Sequence, residues 1–239
     1  MIAYHFISSE FALKALRDRR LKITCINELS DPFQLCAADF FDSDVQSKLE
    51  AFKNRMNEQY GIVCFSKNYD DPVLWSHYAD SHRGVALVFE IPDDQAISIH
   101  YQPERLRSDA DAAIRRGGFT EPDLNPFVAA KFASWRYENE VRMTCALNDH
   151  FCQIDAKGKK VYFESLSLES FGRDALKLVG LIRGSRCDLK PADIASELLA
   201  ADTLPVQDTR LDLPSFRIVA GETYPVDGVR SFSACCFRV

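Results

Sequence analysis

The pattern of apolar and polar positions over residues 61–91 predicts a strand, a helix and a second strand. Residues 62–65 form a short apolar run between a glycine and a polar stretch, which is typical of a buried strand. Asp71 and Pro72 suit the N-cap and first turn of a helix, because proline lacks the N–H that would be unpaired there. Residues 85–89 are apolar on both faces, which predicts a central strand covered on both sides.

The helix predicted in this stretch carries one stripe of aromatic and polar side chains. The members of the stripe recur at helical spacing and are Trp75, Tyr78, Ala79 and His82. We expect the helix to end at Gly84, with Arg83 supplying a cation near its carboxyl end. Packing of the stripe against the sheet is the simpler interpretation, and a binding site is the alternative.

The remaining segments predict further strands and helices. Strands are expected at residues 2–7, 21–24, 97–101, 151–154, 160–164, 176–182, 216–219 and 232–239. Helices are expected at residues 10–20, 42–58, 126–136 and 191–201, with Ser8 or Ser9 and Asp188 as N-caps. The fold class is therefore α+β, with a central mixed or antiparallel sheet and flanking helices.

One domain is expected for the whole chain. Its 239 residues suffice for a full core, and no Pro/Gly/Ser-rich linker or charge block divides them. The residues that could do chemistry fall within 1–147, and residues 148–239 are expected to be scaffold. A loop is predicted at residues 27–33, where side chains suit hydrogen bonding to their own backbone.

Two glutamates follow the helix that is predicted to end at Arg136. From there the apolar period becomes that of a strand, which would place Glu138, Glu140 and Arg142 together on its polar face. A continuing helix would instead separate the two glutamates by about 200° and prevent a shared site. Solvated surface charge is the simpler interpretation, but like charges on one face repel unless they are paired.

Composition and charge narrow the classes of function. The net charge is −6, so nucleic acid would need a local basic patch. The arginines of residues 105–116 are most simply a solvated surface, and they are otherwise the best candidate for a phosphate-binding patch. The eight cysteines include no CxxC pair, so no metal site is expected and the thiols are predicted to be reduced. The start of the chain lacks the features of a signal peptide, and no apolar run is long enough to span a membrane. We expect a cytoplasmic protein.

Several segments together resemble the bacterial family DUF2971. The matching segments are Tyr4-His5, Phe11 to Leu16, Asn27, Asp31-Pro32-Phe33, Cys64-Phe65-Ser66, Trp75 to Ala79, His82 to Val85, Lys131 and Trp135 to Arg142. They occur in order over roughly the first 145 residues. The family name itself carries no activity.

The order of three residues is similar to the His-Tyr-Glu layout of the ADP-ribosyltransferase superfamily. The resemblance implies that His5 anchors ribose hydroxyls of NAD, that Tyr78 stacks on nicotinamide, and that Glu140 completes the site. The Glu138-x-Glu140 pair is similar to the paired glutamates of arginine-modifying members. The fold implied is the split sheet of that superfamily.

The same resemblance implies further contacts with NAD. The candidate cofactor-binding residues are Tyr4, His5, Ser66, Trp75, Tyr78, His82 and Arg142. Ser66 falls where other members have a strand serine, and an arginine could bind the pyrophosphate. The crowding of Trp75, His77 and His82 around Tyr78 departs from the family pattern.

Three functions remain open at this point. The first is an NAD-dependent mono-ADP-ribosyltransferase that modifies a protein or nucleic acid, such as a bacterial toxin or anti-phage effector with an antitoxin or regulatory partner. The second is a nuclease or other phosphoester hydrolase that uses His5, His77, His82 and the glutamates, with or without a divalent metal. The third is a non-catalytic binding or regulatory module.

Overall fold

A computed structural model describes residues 1–31, 43–104, 128–168 and 176–229. Within these ranges the chain is a mixed α/β structure in which strands predominate and helices are few. It divides into two compact units. Unit 1 comprises Met1–Leu21, Ser66–Ile91 and Glu164–Val239, and unit 2 comprises Lys22–Phe65 and Pro92–Phe163. A single domain over residues 1–239 stays a prediction.

The strands in chain order are β1 Ile2–Ile7, β2 Arg20–Cys25, β3 Tyr60–Ser66, β4 Val85–Glu90, β5 Ile97–Ser98, β6 His100–Gln102, β7 Ala130–Phe132, β8 Glu140–Ala146, β9 Phe151–Ile154, β10 Lys160–Ser167, β11 Leu176–Arg183, β12 Thr203–Asp212 and β13 Arg217–Asp227. The α-helices are α1 Ser9–Asp18, α2 Ser43–Gln59, α3 Pro72–Tyr78 and α4 Pro191–Ala195. Short 3₁₀ helices cover Ile26–Glu28, Ala133–Glu138 and Leu147–Asp149. The prediction of a mixed sheet with helices is confirmed.

In unit 1, strand β4 lies between two antiparallel neighbours. Ala86 of β4 is opposite Phe6 of β1 on one side and Ile182 of β11 on the other. Beyond β11, the sheet continues with β12, which is parallel to β11, and with β13, which is antiparallel to β12. Ala86 and Leu87, which lie on opposite faces of the strand, are both fully buried, as a strand covered on both faces requires. The prediction of a central strand at residues 85–89 is confirmed.

In unit 2, β3 pairs with β2 and with β8, and β8 also pairs with β5, whereas β6 and β7 form a separate two-stranded sheet. Strand β2 is antiparallel to β3, β5 is antiparallel to β8, and β6 is parallel to β7. Strands β9 and β10, both at predicted positions, are antiparallel and form a hairpin. Its turn depends on Asp155, whose carboxylate accepts hydrogen bonds from the N–H groups of Lys157 and Lys159, and on Gly158 at φ 78°.

Helices α1 and α4 end earlier than their sequence patterns predict. Helix α1 begins at the predicted cap, since the Ser8 hydroxyl accepts a hydrogen bond from Phe11 N–H. It ends at Asp18 rather than at residue 20, because Arg19 adopts a left-handed conformation at φ 53°. Helix α4 is capped by Lys190, not by the predicted residue, and covers only five residues. The predicted helix at 191–201 is wrong beyond Ala195.

The helix predicted for residues 126–136 is wrong where the structure describes it. Ala130–Phe132 is strand β7, which pairs with β6, and Ala133–Glu138 is a 3₁₀ helix. Pairing between strands overrides the apolar spacing here, because Lys131 on β7 points into a buried cluster of charges. The single strand expected at 97–101 is likewise two strands, β5 and β6.

Other predictions fall on residues outside the described ranges. These are the end of the loop at 27–33, the arginines of 105–116, residues 126–127 of the predicted helix and the strand at 232–239. Strand β12 is a long strand that the sequence pattern did not resolve. In the part of the chain that the structure describes, every helix is too short or too polar to cross a bilayer.

Candidate functional site

Strand β1 in unit 1 carries two of the predicted residues. Tyr4 and His5 are consecutive on a strand, so their side chains point to opposite faces, and both are half-buried. The Tyr4 ring packs against Tyr69 with centroids 5.2 Å apart, and burial followed by the neighbouring phenol raises the pKa of Tyr4. Ser66, buried at the end of β3, lies opposite Tyr4 and accepts a hydrogen bond from Asn68 N–H at 3.3 Å.

Helix α3 begins as predicted and ends sooner. The Asp71 carboxylate accepts from Val73 N–H at 2.8 Å, and Pro72 occupies the first turn. The helix ends at Tyr78, since the three residues 80–82 adopt φ of 44°, 53° and 70°. His82 therefore does not share a helical stripe with Tyr78, which corrects the prediction of a helix continuing to Gly84.

The aromatic residues of α3 have different environments. Trp75 is fully buried, donates its indole N–H to the Tyr69 carbonyl at 2.6 Å, and meets the Phe6 ring edge-on at 5.0 Å. Tyr78 is half-buried, and its ring is 6.0 Å from that of His77. Trp75 thus belongs to the core of unit 1, whereas Tyr78 keeps a partly exposed ring.

Unit 2 contains a buried group of four charged side chains, which we call the ion cluster: Lys131, Glu138, Glu140 and Arg142. Glu140 and Arg142 are the first and third residues of β8, so they lie on one face of the strand. Lys131 comes from the middle of β7, and Glu138 ends the 3₁₀ helix that connects β7 to β8. Two cations and two carboxylates balance the formal charge.

Contacts within the ion cluster occupy both oxygens of Glu140. Arg142 Nε donates to Oε1 at 2.6 Å and Nη2 donates to Oε2 at 3.0 Å, so the pair is bidentate. Lys131 Nζ donates to Glu140 Oε2 at 3.2 Å and also to the Glu138 carboxylate. The Arg142 Nη1 group donates to the Val128 carbonyl at 2.8 Å. Each polar atom of the bidentate pair therefore has a partner.

The backbone between the two glutamates brings their carboxylates together. Asn139 adopts φ 42°, a left-handed conformation that asparagine tolerates better than most residues, and β8 starts immediately after it. The prediction that both glutamates lie together on the polar face of one strand is wrong for Glu138, which precedes the strand, and both side chains are buried. Their carboxylates meet through Lys131 Nζ instead.

The electrostatics of the cluster keep Glu140 ionised. Burial alone would raise its pKa, but the Arg142 guanidinium and the Lys131 ammonium outweigh burial and bring the pKa of Glu140 to about 2. Its backbone N–H donates to the Tyr101 hydroxyl at 2.7 Å. Burial, followed by the Glu140 charge, raises the pKa of Cys64, whose thiol bonds to that carboxylate. Cys64 is therefore a neutral thiol at neutral pH.

Sequence reasoning missed three members of this environment: Lys131, Tyr101 and Cys64. Lys131 was assigned to a helix, and its ammonium in fact lies 4.6 Å from the centre of the Trp135 ring, a cation–π contact. A lysine within an apolar strand of three residues is one signal that could have indicated it, and Lys131 is also among the residues of the family resemblance. No sequence pattern points to Tyr101 or Cys64 as neighbours of Glu140.

The predicted site draws on both units. Tyr4, His5, Ser66, Trp75, Tyr78 and His82 belong to unit 1, and Glu138, Glu140 and Arg142 belong to unit 2. A shared cleft stays a prediction. Within unit 2, an ionised carboxylate in fixed position can stabilise developing positive charge, which is the chemistry expected of Glu140. Comparison with protein-family models, with curated proteins and with solved structures gives no match to this chain.

Proposed function

We propose that this chain is an NAD-dependent ADP-ribosyltransferase that modifies a macromolecule, with Glu140 as its catalytic carboxylate. The observation that supports the proposal is the ionised Glu140 side chain, fixed beside Glu138 by Lys131 and Arg142. Cleavage of the nicotinamide–ribose bond builds positive charge on the sugar, and a preorganised carboxylate stabilises that charge. The fold that goes with this proposal is the split sheet of the superfamily.

The other residues have proposed roles that follow from the resemblance. His5 holds ribose hydroxyls, Tyr78 stacks on nicotinamide, and Glu138 orients or deprotonates the acceptor. Tyr4, Ser66, Trp75 and His82 complete the surroundings of NAD in this proposal. The partial exposure of Tyr78 is compatible with stacking, whereas the buried Trp75 acts from the core by supporting Tyr78 and its helix.

In this proposal, the substrate reaches Glu140 by replacing one of its contacts, the hydrogen bond from Lys131. The side chain of Glu140 is 7% exposed, and of its three bonds to Arg142 and Lys131 the bond to Lys131 Nζ, at 3.2 Å, is the longest. A ribose hydroxyl that donates to Oε2 would take the place of Lys131, while Arg142 would keep the carboxylate in position. Lys131 would retain Glu138 as its counter-ion. The cluster thus contains one exchangeable bond and one fixed bidentate pair.

The experiment that tests the proposal follows the label from NAD. Purified protein is incubated with NAD labelled in the adenylate part and with cell lysate, and the label is then sought on protein, RNA and DNA. We expect the label on one class of macromolecule, and free nicotinamide in equal amount. If nicotinamide is released and the label is found only on free ADP-ribose, the activity is hydrolysis of NAD and not transfer to a macromolecule. Absence of both products would contradict the proposal.

A non-catalytic binding or regulatory module is the second candidate. It is favoured by the complete pairing of the ion cluster, because buried charges whose partners are all present can serve structure alone. The two candidates differ in one variant, Lys131→Met, which removes one of the two donors to Glu140 Oε2, leaves the bond from Arg142 Nη2, and keeps both carboxylates. A transferase would change its KM for NAD, whereas a structural cluster would change only the stability of the protein.

A further inference from the structure

Two loops of unit 1 concentrate buried polar atoms that have no hydrogen-bond partner. Within the described ranges four buried side-chain nitrogen or oxygen atoms lack one, and three of these belong to His82, Arg183 and Ser185. An unsatisfied buried donor or acceptor costs about 1–3 kcal/mol. Such groups commonly mark a position where an ion or water binds. We call these two segments, residues 80–84 and 183–187, the paired loops.

The paired loops touch through their backbones. Arg186 N–H donates to the His82 carbonyl at 3.1 Å. Gly184 permits this approach, because a Cβ at that position would lie 2.3 Å from the same carbonyl oxygen. The first loop contains three consecutive residues at positive φ, ending with His82 at 70°. Conformations of this kind persist where packing or function requires them.

The donors that the paired loops offer are those that bind phosphate. The terminal nitrogens of Arg183 are engaged by Asp208 at 2.8 Å and by the Cys187 carbonyl at 3.1 Å, which leaves its buried Nε–H available. Ser185 adds a hydroxyl. Arg186 is exposed, and no described side chain forms an ion pair with it. Guanidinium and hydroxyl donors match the several acceptor oxygens of a phosphate group.

His82 adds a group whose charge would respond to an anion. Its Nε2 lies 3.1 Å from the Ser76 hydroxyl, and that hydroxyl donates to the Pro72 carbonyl at 3.0 Å. Nε2 therefore carries the proton, and the buried Nδ1 would donate outward once the ring is protonated. Burial, followed by the charge of Arg186, lowers the pKa of His82 in the free protein. A bound dianion would have the opposite effect.

Two carboxylates near the paired loops are already engaged by arginines. Asp80 bonds to Arg83 at 3.0 Å, and Asp208 bonds to Arg183 at 2.8 Å. Asp188 is close enough to Arg83 to influence its charge. Within residues 80–84 and 183–187, all of which the structure describes, Arg186 is the charged side chain that forms no ion pair. An anion bound to the paired loops would therefore neutralise the charge of Arg186.

We propose that the paired loops bind a phosphate group, either as free phosphate or as the phosphate ester of a small molecule. Arg186 supplies the charge, Arg183 Nε–H and the Ser185 hydroxyl donate hydrogen bonds, and protonated His82 donates from Nδ1. The inference rests on residues of unit 1 alone. It does not depend on Glu140 or on the proposed transferase activity.

The test is a titration of the full chain with inorganic phosphate, at constant ionic strength, by calorimetry. We expect saturable binding that Arg186→Gln weakens by about tenfold or more, since charge-assisted hydrogen bonds contribute more than neutral ones. The matched control is Arg210→Gln, which removes another exposed guanidinium of unit 1 and should change the affinity less than about twofold. Ser185→Ala should weaken binding without loss of fold.

A second readout follows the imidazole of His82 by proton NMR, assigned with the His82→Asn variant. We expect phosphate to raise the pKa of His82, and chloride at the same ionic strength to leave it unchanged. Equal affinity in Arg186→Gln and Arg210→Gln, or a His82 signal that phosphate does not alter, would overturn the proposal. Neither experiment contains NAD, so failure here leaves the transferase proposal standing.

Discussion

Replacement of Glu140 by glutamine gives the sharpest prediction about the ion cluster. Glu140 is the bidentate partner of Arg142, and Lys131 also bonds to it. The amide would leave two buried cations with only the Glu138 carboxylate between them. Breaking a buried ion pair in this way costs about 3–5 kcal/mol. For a chain of this size we expect the melting temperature to fall by roughly 6–20 °C.

The matched control is Glu90→Gln, which breaks an ion pair at the surface. Glu90 and Lys177 lie 2.6 Å apart on adjacent strands, and their side chains are 37% and 25% exposed. Solvent screens such pairs, so this variant should lose no more than about 1 kcal/mol. Both variants are compared by thermal unfolding of the full chain, followed by circular dichroism. Equal losses for Glu140→Gln and Glu90→Gln would refute the assignment of a buried, charge-dependent cluster.

The difference in stability between wild type and Glu140→Gln should depend on pH, in a direction that follows from the pKa of Glu140. Because the folded pKa of Glu140 is about 2 and its ordinary value is 4.5, the ionised form stabilises the fold above the ordinary value. This contribution is lost as the pH falls from about 4.5 towards 2. The stability difference between wild type and Glu140→Gln should therefore narrow over this interval. A difference that stays constant down to pH 3 would contradict the reasoning.

Three further predictions concern the rest of the chain. Gly84→Ala should destabilise unit 1 by about 1–3 kcal/mol in a chemical denaturation curve, since a Cβ would lie 2.2 Å from the Ile7 carbonyl; an unchanged curve would contradict the packing. Burial, followed by a nearby arginine, lowers the pKa of His82, so wild type should lose stability relative to His82→Asn as the pH falls below about 6.5. In thiol alkylation followed by mass spectrometry, Cys64 should react more slowly than the exposed Cys152, because burial and the Glu140 charge keep Cys64 protonated; equal rates would refute this.

Three strands of the unit 1 sheet, β1, β4 and β11, could be predicted because each is a largely apolar run, whereas β12 could not. Strands β1, β4 and β11 have the predicted positions to within about one residue. Burial on one or both faces of a strand requires apolar residues at alternating or successive positions, and this pattern can be seen directly in the sequence. The start of α3 was equally accessible, since Asp71 and Pro72 suit the beginning of a helix through their own backbone chemistry.

Only part of the ion cluster could be predicted from the sequence. Glu138, Glu140 and Arg142 could be identified as a group, but charged residues on a strand are usually exposed, and the pattern contains no sign that these are buried. Lys131 reaches them through the pairing of β7 with β6, a contact between segments about thirty residues apart along the chain. Apolar spacing favoured a helix there, and tertiary pairing prevailed.

The end of α3 shows a second reason for failure. The spacing of Trp75, Tyr78 and His82 satisfies a helix, and no residue in 79–83 is glycine or proline. The helix nevertheless ends at Tyr78, because Gly84 N–H bonds to the Ala79 carbonyl and the chain turns through left-handed residues into β4. The position of that turn depends on where β4 begins, and the spacing of residues within the helix does not contain this information.

The proposed role of Glu140 is to stabilise positive charge on the ribose of NAD, and the rate of nicotinamide release is the quantity that depends on this role most directly. Wild type and Glu140→Gln are assayed at one temperature at which circular dichroism shows both to be folded, with Glu90→Gln as the control. The account predicts that Glu140→Gln releases nicotinamide at least about 100-fold more slowly while the control keeps its rate. Equal rates in the folded wild type and Glu140→Gln would contradict it.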